Sequence, residues 1–242
     1  MKRFYVNYKL EVNKNFKIDG IEHNHIKNVM RMKVGDEIIL VCGDEYDYVA
    51  SIINMTKGDT EVHILSVEPN IYNPSVDVTV FQALVKSDNM NLIVQKLTEL
   101  GVKTFIPFES EFITSKDKFG KSSKLQEISN QSVKQCKRSI PMYIMPTMKF
   151  SEVVGILGDY DVVIFANECE RSYDLNNIGE LGNKKIAIII GSEGGFSENE
   201  IESLVDAGAR SITLGKRILR AETASIALVS VVMCLSGEWS YE

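Results

Sequence analysis

Residues 185–200 read KIAIIIGSEGGFSENE, an aliphatic run that breaks into a glycine-rich loop and then into a helix start. A run without a polar side belongs to a strand covered on both faces, which is the habit of a parallel sheet under helices. Ser197 followed by Glu200 is a capping box: the serine oxygen accepts from a first-turn amide, and the glutamate returns to the cap amide. Glycines between such a strand and such a helix let a ligand approach the backbone closely. The ligand is not a nucleoside triphosphate, because the glycine, lysine, serine or threonine order of a P-loop is absent and Glu193, Glu198 and Glu200 would repel a polyphosphate. Nor does the loop carry GxGxxG, and it lies late in the chain. A cationic or neutral ligand with hydroxyls and amide-like edges suits it better.

A second loop follows at residues 214–228, LGKRILRAETASIAL. Arg217 and Arg220 put positive potential at a helix start, suited to an RNA phosphate or a ligand carboxylate, unless they merely pair with Glu222 and Asp206. Ala224, Ser225 and Ala227 would let the last helix approach another backbone closely. Two such loops on neighbouring strand ends make one pocket at the carboxyl edge of the sheet.

The rest of the chain sorts into two textures. Up to about residue 70 it is short and strand-like, YVNYKLEV, DEIILVCG, DYVASIINM and TEVHILSVE between turn signals, as in a small β-barrel with one helical interruption, HNHIKNVMRM. EPNIYNPS then marks a boundary near residue 72. Beyond it strands alternate with helices: DNMNLIVQKLTELG is a helix closed by Gly101, and KLQEISNQSVKQC, SEVVGIL, SENEIESLVDAG and ETASIALVSVVMCLSG are further helices. VDVTVFQALVK, KTFIPFES, MYIMP, DVVIFAN, KKIAIIIG and RSITLG are strands. The expectation is one domain at 1–72 and a second at 73–242.

Composition excludes several classes. The chain has 242 residues, 44% hydrophobic and 25% charged, which is ordinary for a globular protein. Its longest apolar stretch contains Glu222 and is too short to span a bilayer, and the N-terminus lacks the features of a secretory signal, so a cytoplasmic protein without a membrane segment is expected. Cys42, Cys136, Cys169 and Cys234 are far apart, which suggests reduced and mostly packed thiols with no zinc site. His23 and His25 have no third ligand near them, so no metal is expected. The formal net charge of −6 opposes general nucleic-acid coating, but Lys116–Arg138 holds seven basic residues against Asp117 and Glu127. Lys27, Arg31 and Lys33 form a smaller basic patch.

GSEGGFSENEIE followed by LGKRILRAETA resembles the two C-terminal signature loops of the SPOUT methyltransferases. KSDNMNLIVQKLTELGV resembles the lysine, aspartate and QKxTELGV stretch of the ribosomal RNA small subunit methyltransferase E family, and HNHIKNVMRMKVGDEI resembles that family's histidine, valine, arginine and GD pattern. Nearly the whole chain is covered in order. The resemblance implies an α/β fold: a C-terminal SPOUT trefoil-knot domain with a mainly parallel sheet, and a small N-terminal PUA-like RNA-binding β-barrel. It implies S-adenosylmethionine as cofactor and 3-methyluridine formation in 16S rRNA of the small ribosomal subunit, at the family's position 1498. It also implies a homodimer in which the small-residue helix meets its partner. A cofactor with a sulfonium cation and no phosphate tolerates Glu193.

Cofactor contacts are implied at Ala166, Asn167, Ile190, Gly191, Ser192, Gly194, Gly195, Leu214, Gly215, Ile218, Leu219, Thr223 and Ala224. RNA contacts are implied at Arg3, His25, Arg31, Lys86, Lys121, Lys124, Lys137, Arg138 and Arg217. Glu193 or Glu222 would accept the imide proton, and Arg220 would hold RNA phosphate or stabilise charge on the uracil oxygens. The family has proline where this chain has Ser192 and Lys216, a loss of about 0.4–1 kcal/mol of unfolded-state restriction at each loop. Two alternatives stay open: a ribose 2′-O-methyltransferase of the SPOUT type, and a non-catalytic RNA-binding assembly factor.

Overall fold

The computed structural model describes residues 1–113, 122–173, 178–179, 181–182 and 184–240. The chain divides into two compact units, Met1–Asn73 with Asn130–Pro141, and Pro74–Ser129 with Met142–Glu242.

In the first unit β1 (Lys2–Tyr5), β2 (Asn15–Ile18), β3 (Glu37–Val41), β4 (Tyr46–Met55) and β5 (Thr60–Pro69) form one sheet in the order β1-β3-β4-β5-β2. Only β1 and β3 run parallel. The alternation of β3 and β4 sends Ile38, Leu40, Ala50 and Ile52 inward, where Phe4, Ile26, Val62 and Ile64 complete the core. The helical stretch is α1 (Gly20–Asn24), which loosens into a π-turn at His25–Val29.

One sequence expectation needs correction here. YVNYKLEV is not a strand, because β1 ends at Tyr5; Tyr8 instead stacks on Phe16 at 5.9 Å. The strand on that edge is Asn15–Ile18, whose four residues are too few to show a period of two. His23, in α1, is 6% exposed, with Nδ1 at 2.8 Å from Thr60 Oγ1, so it is a satisfied core histidine. Among the described residues no cluster of three metal-ligating side chains occurs.

The second unit is a sheet in the order β12-β10-β11-β6-β7-β8, made of β6 (Asp77–Ala83), β7 (Thr104–Glu109), β8 (Tyr143–Ile144), β10 (Val162–Ala166), β11 (Lys185–Ile190) and β12 (Arg210–Ile212), with β9 (Met148–Lys149) also on β7. Every pairing is parallel. The aliphatic runs are buried on both faces, as expected. Ile186, Ile188 and Ile190 of β11 join Val78 and Val80 of β6 on one face, under α2 (Ser87–Leu100) and α6 (Ala221–Leu235). Ala187 and Ile189 join Phe81 and Phe165 on the other, under α4 (Phe150–Ile156) and α5 (Glu198–Asp206). Each such buried aliphatic or phenyl group contributes about 1.5–3 kcal/mol.

Gly101 closes α2 at φ +103°, and its N–H reaches the carbonyls of Leu97 and Thr98. α3 (Ser122–Cys136) begins in this unit, and its residues from Asn130 belong to the first. No described helix is long and apolar enough to cross a membrane. The thiols are less packed than expected: Cys42 and Cys136 are half-buried, but Cys169 and Cys234 are exposed.

Candidate active site

Four adjacent parallel strands, β12, β10, β11 and β6, end on one edge, and their outgoing loops enclose a cavity of about 640 Å³. This is the edge at which open α/β sheets bind ligands, and the size suits a small organic molecule. The walls are Ala166–Cys169 after β10, Ile190–Phe196 after β11, Thr213–Gly215 and Arg217–Ala221 with Glu222 and Ala224 after β12, and Lys86 and Asn89 after β6.

Backbone chemistry shapes the glycine loop. Gly195 sits at φ +72°, and a methyl group on Gly191 would come within 3.2 Å of the Gly195 carbonyl and the Phe196 ring. Below the loop, Gln82 is fully buried and its Nε2 donates to the Gly191 carbonyl at 3.3 Å. The capping box is present: Ser197 N–H donates to Glu200 Oε2 at 3.0 Å, and Glu200 N–H returns to Ser197 Oγ at 3.3 Å. The β10 loop is braced in turn, because Asn167 N–H donates to the Ile212 carbonyl and Asn167 Oδ1 accepts from Cys169 N–H.

Ser192, standing where the resembled family has proline, is 6% exposed and recovers some of the lost restraint. Its hydroxyl donates to the Phe112 carbonyl at 3.0 Å and lies 3.3 Å from the Gly194 N–H, which donates to it. Glu193 also finds a place. Its Oε1 lies 3.4 Å from the backbone N–H of Lys86, the N-cap of α2, where a carboxylate meets the positive end of the helix dipole.

The charges balance. Lys86, Arg217 and Arg220 line the cavity together with Glu168, Glu193 and Glu222. A polyphosphate needs a net positive cradle, and none is offered here. Among the described residues no ion pair joins Arg217 or Arg220 to Glu222 or Asp206. Glu222 differs from Glu193: its Oε2 is buried and has no hydrogen-bond partner. A buried carboxylate oxygen left this way is an acceptor open to a donor from a ligand.

All the expected cofactor contacts except Thr223 line the cavity; Thr223 is exposed and does not line it. Glu193, Glu222 and Arg220 line it too. Asn89, Glu168, Cys169, Phe196, Ile201, Thr213 and Ala221 were missed. A rule that takes the first residues after every parallel strand would have found most of them.

Of the expected RNA contacts, Lys86 and Arg217 line the cavity, and Arg31, Lys124 and Lys137 are exposed. His25 packs edge-on against Phe4 at 5.5 Å. Lys121, with Lys116 and Lys118, lies outside the described residues. Arg3 and Arg138 do not fit the role: Arg3 is held bidentate by Asp47 at 2.6 and 2.5 Å, and Arg138 is 2% exposed. Lys134 of the basic stretch is paired with Glu22 at 2.7 Å, so the stretch is less cationic than its sequence suggested.

Comparison with known proteins agrees with this geometry. An RNA methyltransferase domain family matches residues 72–233, and an RNA methyltransferase PUA domain family matches 18–65. The chain is 30% identical to the ribosomal RNA small subunit methyltransferase E of Buchnera aphidicola, over 98% of each chain. It is 32% identical to the enzyme of that name from Mesomycoplasma hyopneumoniae, over 95% of this chain and 98% of the other. The structure of a ribosomal RNA small subunit methyltransferase E from Neisseria gonorrhoeae, solved bound to S-adenosyl methionine, superposes with a TM-score of 0.89 at 26% identity, covering 99% of this chain and 100% of that one.

Proposed function

The chain belongs to the ribosomal RNA small subunit methyltransferase E family, and from that premise we propose that it methylates uracil N3 in 16S rRNA with S-adenosylmethionine as donor. The observation that carries the reading is the charge-balanced cavity at the carboxyl ends of four parallel strands, lined by glycine backbone. Such a wall suits a ligand with a sulfonium cation, ribose hydroxyls and an adenine edge, and the unpartnered Glu222 Oε2 leaves an acceptor free for a donor on cofactor or substrate.

When bound, S-adenosylmethionine supplies an already activated methyl group on a sulfonium. Transfer forms the N3–C bond, breaks the S–C bond and releases the imide proton. Glu222 accepts that proton. Its Oε2 has no hydrogen-bond partner among the described residues, so that oxygen is open to take the proton up. Glu193 is exposed and already accepts from the start of α2, so its role is to hold the glycine loop against that helix. Arg220, exposed at the N-cap of α6, stabilises negative charge on the uracil oxygens. Glycine backbone and the two braced loops position the donor, which accounts for much of the rate in a reaction of this kind.

The remaining parts of the reading are these. Residues 1–72 are the RNA-binding PUA-like domain and 73–242 the methyltransferase domain, with the target at position 1498. The exposed cations Arg31, Lys124 and Lys137, with Lys86 and Arg217 at the cavity, follow the RNA backbone. The protein works in the cytoplasm as a homodimer on the small ribosomal subunit. Incubating it with labelled cofactor and small-subunit rRNA, then digesting to nucleosides for mass spectrometry, tests the central claim. Label in 3-methyluridine is the expected result; label in 2′-O-methylribose would reassign the reaction to ribose.

A further inference from the structure

Phe112 lies three residues beyond the end of β7 and is 44% exposed, yet it is held on both sides. The preceding N–H, that of Glu111, donates to Glu200 Oε1 at 2.9 Å, and the Phe112 carbonyl accepts from the Ser192 hydroxyl at 3.0 Å. Gly194 lacks a side chain at the point of contact: a methyl group there would come within 2.8 Å of Phe112 Cβ and 3.3 Å of its carbonyl oxygen. Gly194 and Ser192 both line the cavity, so Phe112 is in contact with two of its wall residues.

Burial does not account for this arrangement, because nearly half of the side chain remains in water. Phe196, the aromatic residue in the cavity wall, is already committed edge-on to Phe165 at 5.9 Å. A base that is to be modified must leave its stack and find an apolar face in exchange. An exposed phenyl ring, fastened through its backbone to the cofactor loop, offers that face without the entropy cost of ordering a free side chain. We propose that Phe112 is the stacking surface for the unstacked target base, and that Ser192 and Glu200 are the residues that position it. The inference rests on the RNA-base reading above and adds to it the side chain that receives the base.

Two variants test it: Phe112→Leu and Phe112→Trp. Calorimetry with S-adenosylmethionine should show cofactor affinity within about twofold of the parent for the leucine and tryptophan variants. Methyl transfer to small-subunit rRNA should fall roughly 10- to 100-fold in kcat/KM for leucine, the worth of one base–aromatic stack, and be retained by tryptophan. Transfer by the leucine variant at the parent rate would overturn the proposal, as would a matching loss of cofactor affinity, which would make Phe112 only a prop for the loop. If the parent itself transfers no methyl group to rRNA, the proposed function fails separately. Fluorescence anisotropy of a short uridine-containing oligoribonucleotide, with S-adenosylhomocysteine present, then decides about Phe112: weaker binding by the leucine variant supports the stack, and equal binding refutes it.

Discussion

The hydroxyl of Ser192 donates to the backbone carbonyl of Phe112, 80 residues earlier in the chain. One side chain thereby ties the glycine loop after β11 to the segment after β7, and its oxygen also accepts from Gly194. A proline at this position would restrict the loop by fixing φ; a serine does so by crosslinking it.

Removing that crosslink should loosen the pocket. A buried hydrogen bond is worth about 0.5–1.5 kcal/mol net. Ser192→Ala should therefore weaken S-adenosylmethionine binding about three- to tenfold and lower Tm by a few degrees, measured by calorimetry and thermal scanning. An alanine variant that binds as tightly as the parent would show that the serine bonds do not restrain the loop.

Gly194 has no room for a side chain. Gly194→Ala must push Phe112 or the loop aside, because the new methyl group would meet Cβ at 2.8 Å. Overpacking of this kind costs about 1–3 kcal/mol, visible as a lower urea midpoint. Gly215→Ala is the comparison: its φ of +99° is also strained for alanine, but nothing lies within 4 Å of the added carbon. A steric penalty should appear at Gly194 alone.

Glu222 and Glu193 should separate in kinetics. Glu222→Gln removes the proposed proton acceptor, so kcat should fall about 10²- to 10⁴-fold with little change in cofactor affinity. Glu193→Gln should cost far less in kcat. The reverse order, read from single-turnover transfer across pH, would exchange their roles.

Thiol reactivity should divide by position. Burial, reinforced by the hydrogen bond to Asp44 and its charge, pushes the Cys42 thiol up to about 11. Tyr48, which donates to the same carboxylate at 2.8 Å, is raised for the same reasons. Iodoacetamide at neutral pH should therefore label exposed Cys169 and Cys234 first and Cys42 last, with peptide mass spectrometry showing that the cofactor protects Cys169 in the cavity wall. The raised groups bind their protons more tightly when folded. The stability they confer is complete below their unfolded values and is lost as pH climbs through the folded ones. For Cys42 that window runs from about 9 to about 11, and Tm in that range should fall less steeply in Cys42→Ala.

RNA affinity should track exposure rather than charge count. Lys124→Ala and Lys137→Ala should each reduce the salt dependence of RNA binding by about one phosphate contact. Arg138→Ala should instead lower Tm, because that side chain is 2% exposed. A change in salt slope from Arg138 without loss of stability would place it on the RNA.

Much of this molecule was legible from spacing. IAIII has no polar side, so it could only be a strand covered on both faces. The capping box at Ser197 and Glu200 and the closure at Gly101 are local, set by residues within one turn of each other. The glycine loops declared a ligand because glycine is the residue that leaves backbone open. What could not be read in advance depends on contacts between distant parts of the chain. Asn15–Ile18 is a strand because Thr60–His63 offers it partners. Arg3 and Lys134 lose their free charge to Asp47 and Glu22, and Arg138 loses its solvent. Ser192 looked in sequence like a missing proline; its meaning depended on a carbonyl 80 residues away. Local chemistry therefore determined the elements and the kind of ligand, while only tertiary packing decided which charges stay free and what holds the pocket in shape.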